Sequence, residues 1–174
     1  VTVVIGHQND DRRESIVQVA PRPDGDLWEC VNEVAALVVR SAGEDGSIKV
    51  FIDRDNGEQK VHASALARVK DVRAGAGLRL RVATNPKRGT LDVVLAEQAP
   101  PPSSSDIRTF GGRLRRHEKG FAFLDDVHIP KGLLESIPQD VSAADVLAVY
   151  SKHPTKDEYS WRAVTLTPRA EAHP

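Results

Sequence analysis

The chain has no methionine, a single cysteine and few aromatic residues, four Phe, two Tyr and two Trp in 174 positions. Each scarcity excludes something. A lone Cys30 forms no internal disulfide and no cysteine-rich zinc site, which fits a reducing compartment, and Cys30 itself reads as a small buried thiol. The apolar runs fall far short of the ~20 residues that a membrane span needs, so no membrane partner is expected. The opening residues lack the charged-then-apolar layout of a secretion signal, and a cytoplasmic location is the expectation. A chain that opens on Val1 and holds no Met reads as a processed protein or as a piece of a longer one. A surplus of positive charge is also missing: 24 Lys and Arg stand against 25 Asp and Glu, a formal charge of −1. General nucleic-acid binders usually carry a basic excess, so any basic surface here must be local. Catalytic signatures are absent too, with no Gly-rich phosphate loop followed by Lys and Ser or Thr, no Gly-x-Ser-x-Gly, and no His pair at metal spacing among six scattered histidines. The paired acids Asp53 with Asp55, and Asp125 with Asp126, read as turn formers. Neither an enzyme, nor a metal site, nor a small-molecule cofactor is expected.

What the sequence does have is a run of short β segments broken by Gly, Asp, Asn and Pro, with little helical periodicity. At 174 residues it can hold one good core or two small ones. The sharpest boundary is residues 99–106, where Pro100, Pro101 and Pro102 precede Ser103, Ser104 and Ser105. That composition offers few strand donors and no apolar pattern, and it reads as a linker. The segments on either side, 31–98 and 107–167, share an internal order. Phe51-Ile52-Asp53 followed by Val61-His62 and Leu66 in the first matches Phe123-Leu124-Asp125 followed by Val127-His128 and Leu133 in the second. Each then runs into a strand, a Pro-containing polar turn and a final strand: Leu78 to Thr84, Pro86 to Gly89 and Leu91 to Leu95, against Val146 to Ser151, Pro154 to Glu158 and Tyr159 to Leu166. The expected fold is mainly β, two copies of one small five-stranded barrel. A short β segment over 1–30 precedes them, with strands at Val1 to Ile5 and Ser15 to Ala20, a polar loop at Asn9 to Glu14 and a turn at Pro21 to Asp26; residues 168–174 form a tail. Leu27 to Arg40 mixes helix formers with β-branched residues, and a strand over Ala36 to Arg40 is the reading adopted.

Lys119-Gly120-Phe121-Ala122-Phe123-Leu124 carries the functional argument. Strand side chains alternate faces, so Phe121 and Phe123 share one face and Ala122 and Leu124 the other. With Leu124 in the core, two phenylalanines project together as an apolar platform suited to stacking on successive bases. Gly120 allows a bend or a close backbone approach. Charge agrees with this. From Ile107 to Leu134 six basic residues (Arg108, Arg113, Arg115, Arg116, Lys119, Lys131) face three acidic ones (Glu118, Asp125, Asp126). Arg113 and Arg115 flank Leu114, which puts both on one surface of a strand, able to neutralise phosphates or lie on a base. On the last strand Tyr159 and Trp161 share a face, either extending the platform or packing the barrel.

The stretch resembles the first RNP motif of cold-shock domains, Lys-Gly-Phe-Gly-Phe plus an aliphatic residue, with Ala122 in place of the second glycine. Asp126-Val127-His128-Ile129-Pro130 is similar to the second RNP motif, its Ile-Pro ending closest in style to the cold-shock modules of ribonuclease II and ribonuclease R type exonucleases. The likeness covers about 60 residues, Phe110 to Leu166. It implies an OB-type, cold-shock-like barrel that binds single-stranded RNA or DNA with slight sequence preference and without catalysis, since the catalytic acids of those exonucleases lie in another domain. It also gives His128 the place of a stacking residue, where a neutral imidazole stacks and a protonated one meets a phosphate. The expected interface is therefore Phe121, Phe123 and His128, with Lys119, Arg113, Arg115, Arg116, Lys131 and Trp161 around them.

Each residue also has a plainer reading. The two rings can lie half-buried under a neighbouring domain, the arginines can form a solvated face, and Tyr159 and Trp161 can be packing residues. The first copy has Lys49 where the second has Phe121, and Asp53, Asp55 and Glu58 crowd the following loop. It is expected to be a degenerate, structural or protein-contacting barrel, with Lys49, Arg54, Lys60, Arg79 and Arg81 as at most backbone contacts. The competing function is a protein-interaction or scaffold module of a larger assembly, whose other subunits would be the partners.

Overall fold

The computed structural model describes residues 2–7, 14–20, 31–70, 72–84, 91–153 and 157–169. Strands dominate the described residues, with one short helix and one 3-10 turn. Residues Val1–Asn32 form a unit of their own, in which β1 (Thr2–His7) and β2 (Glu14–Ala20) pair as an antiparallel hairpin with a register shift after Val4. Of the loop expected at Asn9 to Glu14 only Glu14 is described, and it already belongs to β2; the rest of that loop, the turn expected at Pro21 to Asp26, and Cys30 lie outside the described residues.

The remainder, Glu33–Pro174, is one compact unit built on two sheets. The first comprises β3 (Asn32–Arg40), β4 (Ile48–Phe51), β5 (Glu58–Val61), β6 (Gly77–Thr84) and β7 (Leu91–Ala99), ordered β5-β4-β3-β6-β7. Its core is Ala36, Val38, Ile48, Val50, Val61, Leu78, Leu80, Val82 and Ala96, each at most 1% exposed. The segment that mixed helical and strand signals is strand from Asn32 onward, four residues longer at its start than expected. The cause of the mixed signal is visible: Ala36 and Val38 face this core while Leu37 and Val39 face away into a second apolar cluster. A strand buried on both faces loses its apolar and polar alternation. At the start of β6, Gly77 is required because a Cβ would run into the backbone of Pro100 and Pro101. The turn expected at Pro86 to Gly89 lies outside the described residues.

The second sheet comprises β8 (Ile107–Arg113), β9 (Arg115–Arg116), β10 (Ala122–Leu124), β11 (Val127–Ile129), β12 (Ala143–Lys152) and β13 (Tyr159–Pro168), with a single helical turn α1 (Lys131–Leu134) after β11. The order is β8-β12-β13-β11-β10-β9. β8 and β9 are two halves of one strand interrupted at Leu114, whose N–H donates to the Ser142 carbonyl. The first half pairs with β12 and the second with β10, so both edges of the sheet belong to the same stretch of chain and the sheet curls into a barrel. β11 runs parallel to β13. A five-stranded barrel in which the third strand lies parallel to the fifth has the OB arrangement. Ala122, Leu124, Val127, Ile129, Val146 and Ala148 fill it completely buried, and Leu134 and Ile137 close it from the α1 side.

The two barrels share a small core. Leu37 and Phe51 of the first and Val149 of the second are fully buried together with Val164. The Pro/Ser segment has no strand until Ile107, but its end is fixed. Asp106 is 8% exposed, accepts a 2.7 Å bond from the Arg54 guanidinium of the first barrel and accepts the Tyr150 N–H at its carbonyl.

Candidate nucleic-acid interface

The turn Arg116 to Phe121 aims the first ring. Gly120 adopts φ +85°, a left-handed conformation that strains any side chain, and its N–H donates to the His117 carbonyl while the His117 N–H donates to the Phe121 carbonyl. The closed turn lays His117 flat on Phe121, centroids 4.4 Å apart and planes within 11°. β10 then alternates as its sequence demands. Ala122 and Leu124 are fully buried, and Phe121 and Phe123 are half-buried on the other side. Their rings meet edge to face at 5.6 Å, and each lies 5.5 to 5.6 Å from His128, the spacing of mutually supporting aromatic pairs.

Register extends the platform across the sheet. Phe123 pairs with Arg115 on one side and with His128 on the other, and His128 pairs in turn with Arg162. Paired residues on neighbouring strands project to the same face. The outer face therefore carries a row Arg115–Phe123–His128–Arg162, two rings between two guanidiniums. Arg115 is held over the β10–β11 turn by donating to the Asp125 carbonyl at 2.9 Å. Asp125 takes φ +50° in that turn, and with Asp126 it lines an open depression beside Phe123, Arg115 and His117. Burial lowers the His128 pKa below its ordinary value and the nearby His153 lowers it further, so the imidazole is neutral near pH 7, the form that stacks as an uncharged ring.

The other residues expected at the interface are distributed differently. Lys119 is exposed in the turn beside the first ring, its N–H on His117 Nδ1. Lys131 lies along Gly120 and is 3.6 Å from Glu135. Arg113 is exposed like Arg115 with Leu114 turned inward, as alternation requires, but it pairs with Ala143 of β12 rather than with the platform, because the strand changes neighbours at Leu114. Arg116 is paired with the buried Ala122 and donates its guanidinium to the Pro138 and Val141 carbonyls. Its guanidinium thereby fastens the loop after α1, while the residue still lines the depression that Phe123 and His117 border. Trp161 is also elsewhere. It pairs with the core residue Val127, packs against the barrel core, and meets Phe110 edge-on at 5.0 Å and Tyr150 at 5.2 Å. Arg108 sits 5.8 Å above its ring. Tyr159, with Tyr150 and the Arg54 guanidinium, continues that packed cluster. Two members of the site had no expected role. Nothing in the motif foretells that His117 lies on Phe121. Arg162 follows only from the β11–β13 register, which joins residues far apart in sequence.

The comparisons agree with the geometry. Residues 108–166 match the family model described as S1/CSD-like domain 2 of the TOTE conflict systems, about a third of the chain. The match supports an OB domain of S1/CSD type for the second barrel. No curated protein and no solved structure matches the chain. Among the described residues no group of His, Cys, Asp and Glu is arranged to hold a metal ion, and no helix is long and apolar enough to cross a membrane.

Proposed function

We propose that the second barrel binds single-stranded RNA or DNA by stacking bases on Phe121, Phe123 and His128 while Arg115, Arg162, Lys119 and Lys131 meet phosphates. The observation that carries this reading is the cross-strand row of two rings flanked by two guanidiniums on the outer face of an S1/CSD-type barrel. Every base has a π-face, so stacking gives affinity with little sequence preference. Asp125 and Asp126 line the same depression as Arg115, Arg116 and Phe123, and their carboxylates repel phosphate, so the backbone is expected to keep to the cations of the face. The module acts by binding and not by catalysis. The Ile129-Pro130 likeness to ribonuclease II and R modules concerns the barrel alone. The first barrel is read as a degenerate copy, supported by its strand order and by the place of Phe51, which matches Phe123 in sequence. The domain limits follow as 31–98 and 107–167, in a cytoplasmic protein.

The test is fluorescence anisotropy with short unstructured oligonucleotides. Stacking on aromatic side chains is worth roughly 1 to 3 kcal/mol per base, so Phe121→Ala with Phe123→Ala is expected to weaken binding by at least about thirtyfold. Unchanged affinity in a folded double variant overturns the proposal and gives the ring face to a protein partner instead.

A further inference from the structure

Where the two barrels meet, beside the row that ends at Arg162, lies a cleft of about 480 Å3. Its floor is apolar, with Val39 and Val164. Its charged walls are Arg40 and Lys49 from the first barrel and Arg162 from the second, with Glu58 as the single carboxylate among its lining residues. Glu58 is ion-paired with Arg162, so Arg40 and Lys49 remain as a surplus.

That surplus is not a scatter of surface cations. Arg40 pairs across the sheet with Lys49, and Lys49 with Lys60, three like charges opposite one another on one face, an arrangement that destabilises a sheet. Lys60 is offset by Asp45 at 2.7 Å. Arg40 and Lys49 have no ion pair among the described residues. Arg162 is pressed further. Only a third of its side chain is exposed, and its Nε is out of solvent with no hydrogen-bond partner among the described residues. Burial lowers its pKa and repulsion from Arg40 adds to this. A half-enclosed site with excess positive charge and no fixed anion to balance it is the electrostatic complement of a polyanion. Lined with apolar surface at its floor and continuous with the stacking row through the His128–Arg162 pair, it fits a sugar-phosphate segment better than a compact ion.

We propose that the junction cleft carries the backbone of the same single strand whose bases stack on the second barrel, with Arg40 and Lys49 of the first barrel contacting phosphates beyond Arg162. The inference rests on the stacking reading of the second barrel and extends it: the first barrel binds backbone and not bases, and the site is longer than one barrel.

The experiment is a length series of oligonucleotides, about four and about twelve nucleotides, within the range of OB-barrel site sizes, titrated at several salt concentrations on the full chain. The variants are Arg40→Ala with Lys49→Ala, Phe121→Ala with Phe123→Ala, and Lys70→Ala as a control on an exposed cation that does not line the cleft. Arg40 and Lys49 are exposed, so their removal leaves the core intact. The cleft variant is expected to bind the short oligonucleotide like the parent and the long one roughly tenfold more weakly. Its log–log salt slope on the long strand should fall by about 1.4, at ~0.7 per phosphate contact in single strands. A long-strand affinity and slope equal to the parent's, with the phenylalanine variant still defective, overturns the cleft and leaves the platform standing. No binding by the parent, or no effect of the phenylalanine variant, overturns the platform and the cleft with it. Titration with inorganic phosphate forms a last arm: saturable binding that the cleft variant loses, without any length dependence for oligonucleotides, assigns the cleft to a free anion and overturns the proposal.

Discussion

Replacing Phe51 by Ala tests how far the second barrel depends on the first. Phe51 is fully buried in the shared cluster with Leu37, Val149 and Val164. A Phe side chain buries about 150 to 250 Å2, and at ~25 cal/mol per Å2 that is about 4 to 6 kcal/mol of transfer free energy, an upper estimate because the unfolded chain already hides part of its surface. Core Phe→Ala substitutions fall at about 3 to 5 kcal/mol, and this one belongs in that range because strands on both sides limit collapse of the cavity. The point is where the loss is felt. Trp161 packs in the second barrel and reports on it, and placing Trp28→Phe in the background removes the other indole. If the shared cluster couples the barrels, Phe51→Ala shifts the urea midpoint read by Trp161 as well as that read by far-ultraviolet circular dichroism. Val149→Ala, mutated from the other side, is expected to shift the same two midpoints in parallel. A Trp161 transition that stays in place while the dichroism midpoint falls by several tenths molar would refute the coupling and describe two barrels folding independently.

Other outcomes follow from single positions. Gly120→Ala forces a Cβ into φ +85° and to within 3.3 Å of the Lys131 side chain, costing about 1 to 2 kcal/mol in a left-handed conformation; because it also displaces the turn that stacks His117 on Phe121, oligonucleotide affinity should fall more than thermal stability does. Gly77→Ala places a Cβ against the Pro100 backbone, and overpacking of this kind costs about 1 to 3 kcal/mol, read as a lower urea midpoint; an unchanged midpoint would mean that the chain after β7 yields freely. For His128 the lowered pKa means that the unfolded state binds the proton more readily. Its contribution to stability is complete above the ordinary value of about 6.5 and is lost as pH falls from there through the folded pKa. His128→Phe should flatten that part of the stability–pH curve, and a parent curve already flat over this window would contradict the assignment.

Much of the second barrel is legible in its residues because local and global demands coincide there. Phe121, Ala122, Phe123 and Leu124 alternate on a strand with one wet face, so period-2 reading gives the right faces. The same rule fails for Leu37 and Phe51, which are apolar on the face that would be wet if the first barrel stood alone; only the neighbouring barrel explains them. It is also insufficient for Trp161. Period 2 puts Trp161 with Tyr159, which is correct, but which face that is depends on the parallel register with β11, where Trp161 meets buried Val127 and Arg162 meets His128. The arginines divide for a similar reason. Arg115 and Arg116 are adjacent in sequence and point to opposite sides of a strand that closes the barrel, one to the rings and the other to the carbonyls of Pro138 and Val141. A count of basic residues in a segment registers neither distinction.

Comparison of the two barrels row by row shows why one face serves two ends. In the second, the cross-strand row is Arg115–Phe123–His128. In the first, the corresponding row is Leu37–Phe51–Glu58. The phenylalanine is kept, but with Leu in place of the cation its surroundings favour burial, and Phe51 sits fully enclosed between the barrels where Phe123 is half open. The face proposed to stack in one barrel is thus the face by which the other docks, and Glu58 at the end of the docked row reaches Arg162 at the end of the open one. This also resolves the near-zero net charge. A chain with as many acids as bases attracts a polyanion only if its cations are segregated, and docking the first barrel through this face brings Arg40 and Lys49 to the side where Arg162 already lies. Steering by such a local field weakens steeply with added salt, so the association rate, more than the dissociation rate, should carry the salt dependence of binding.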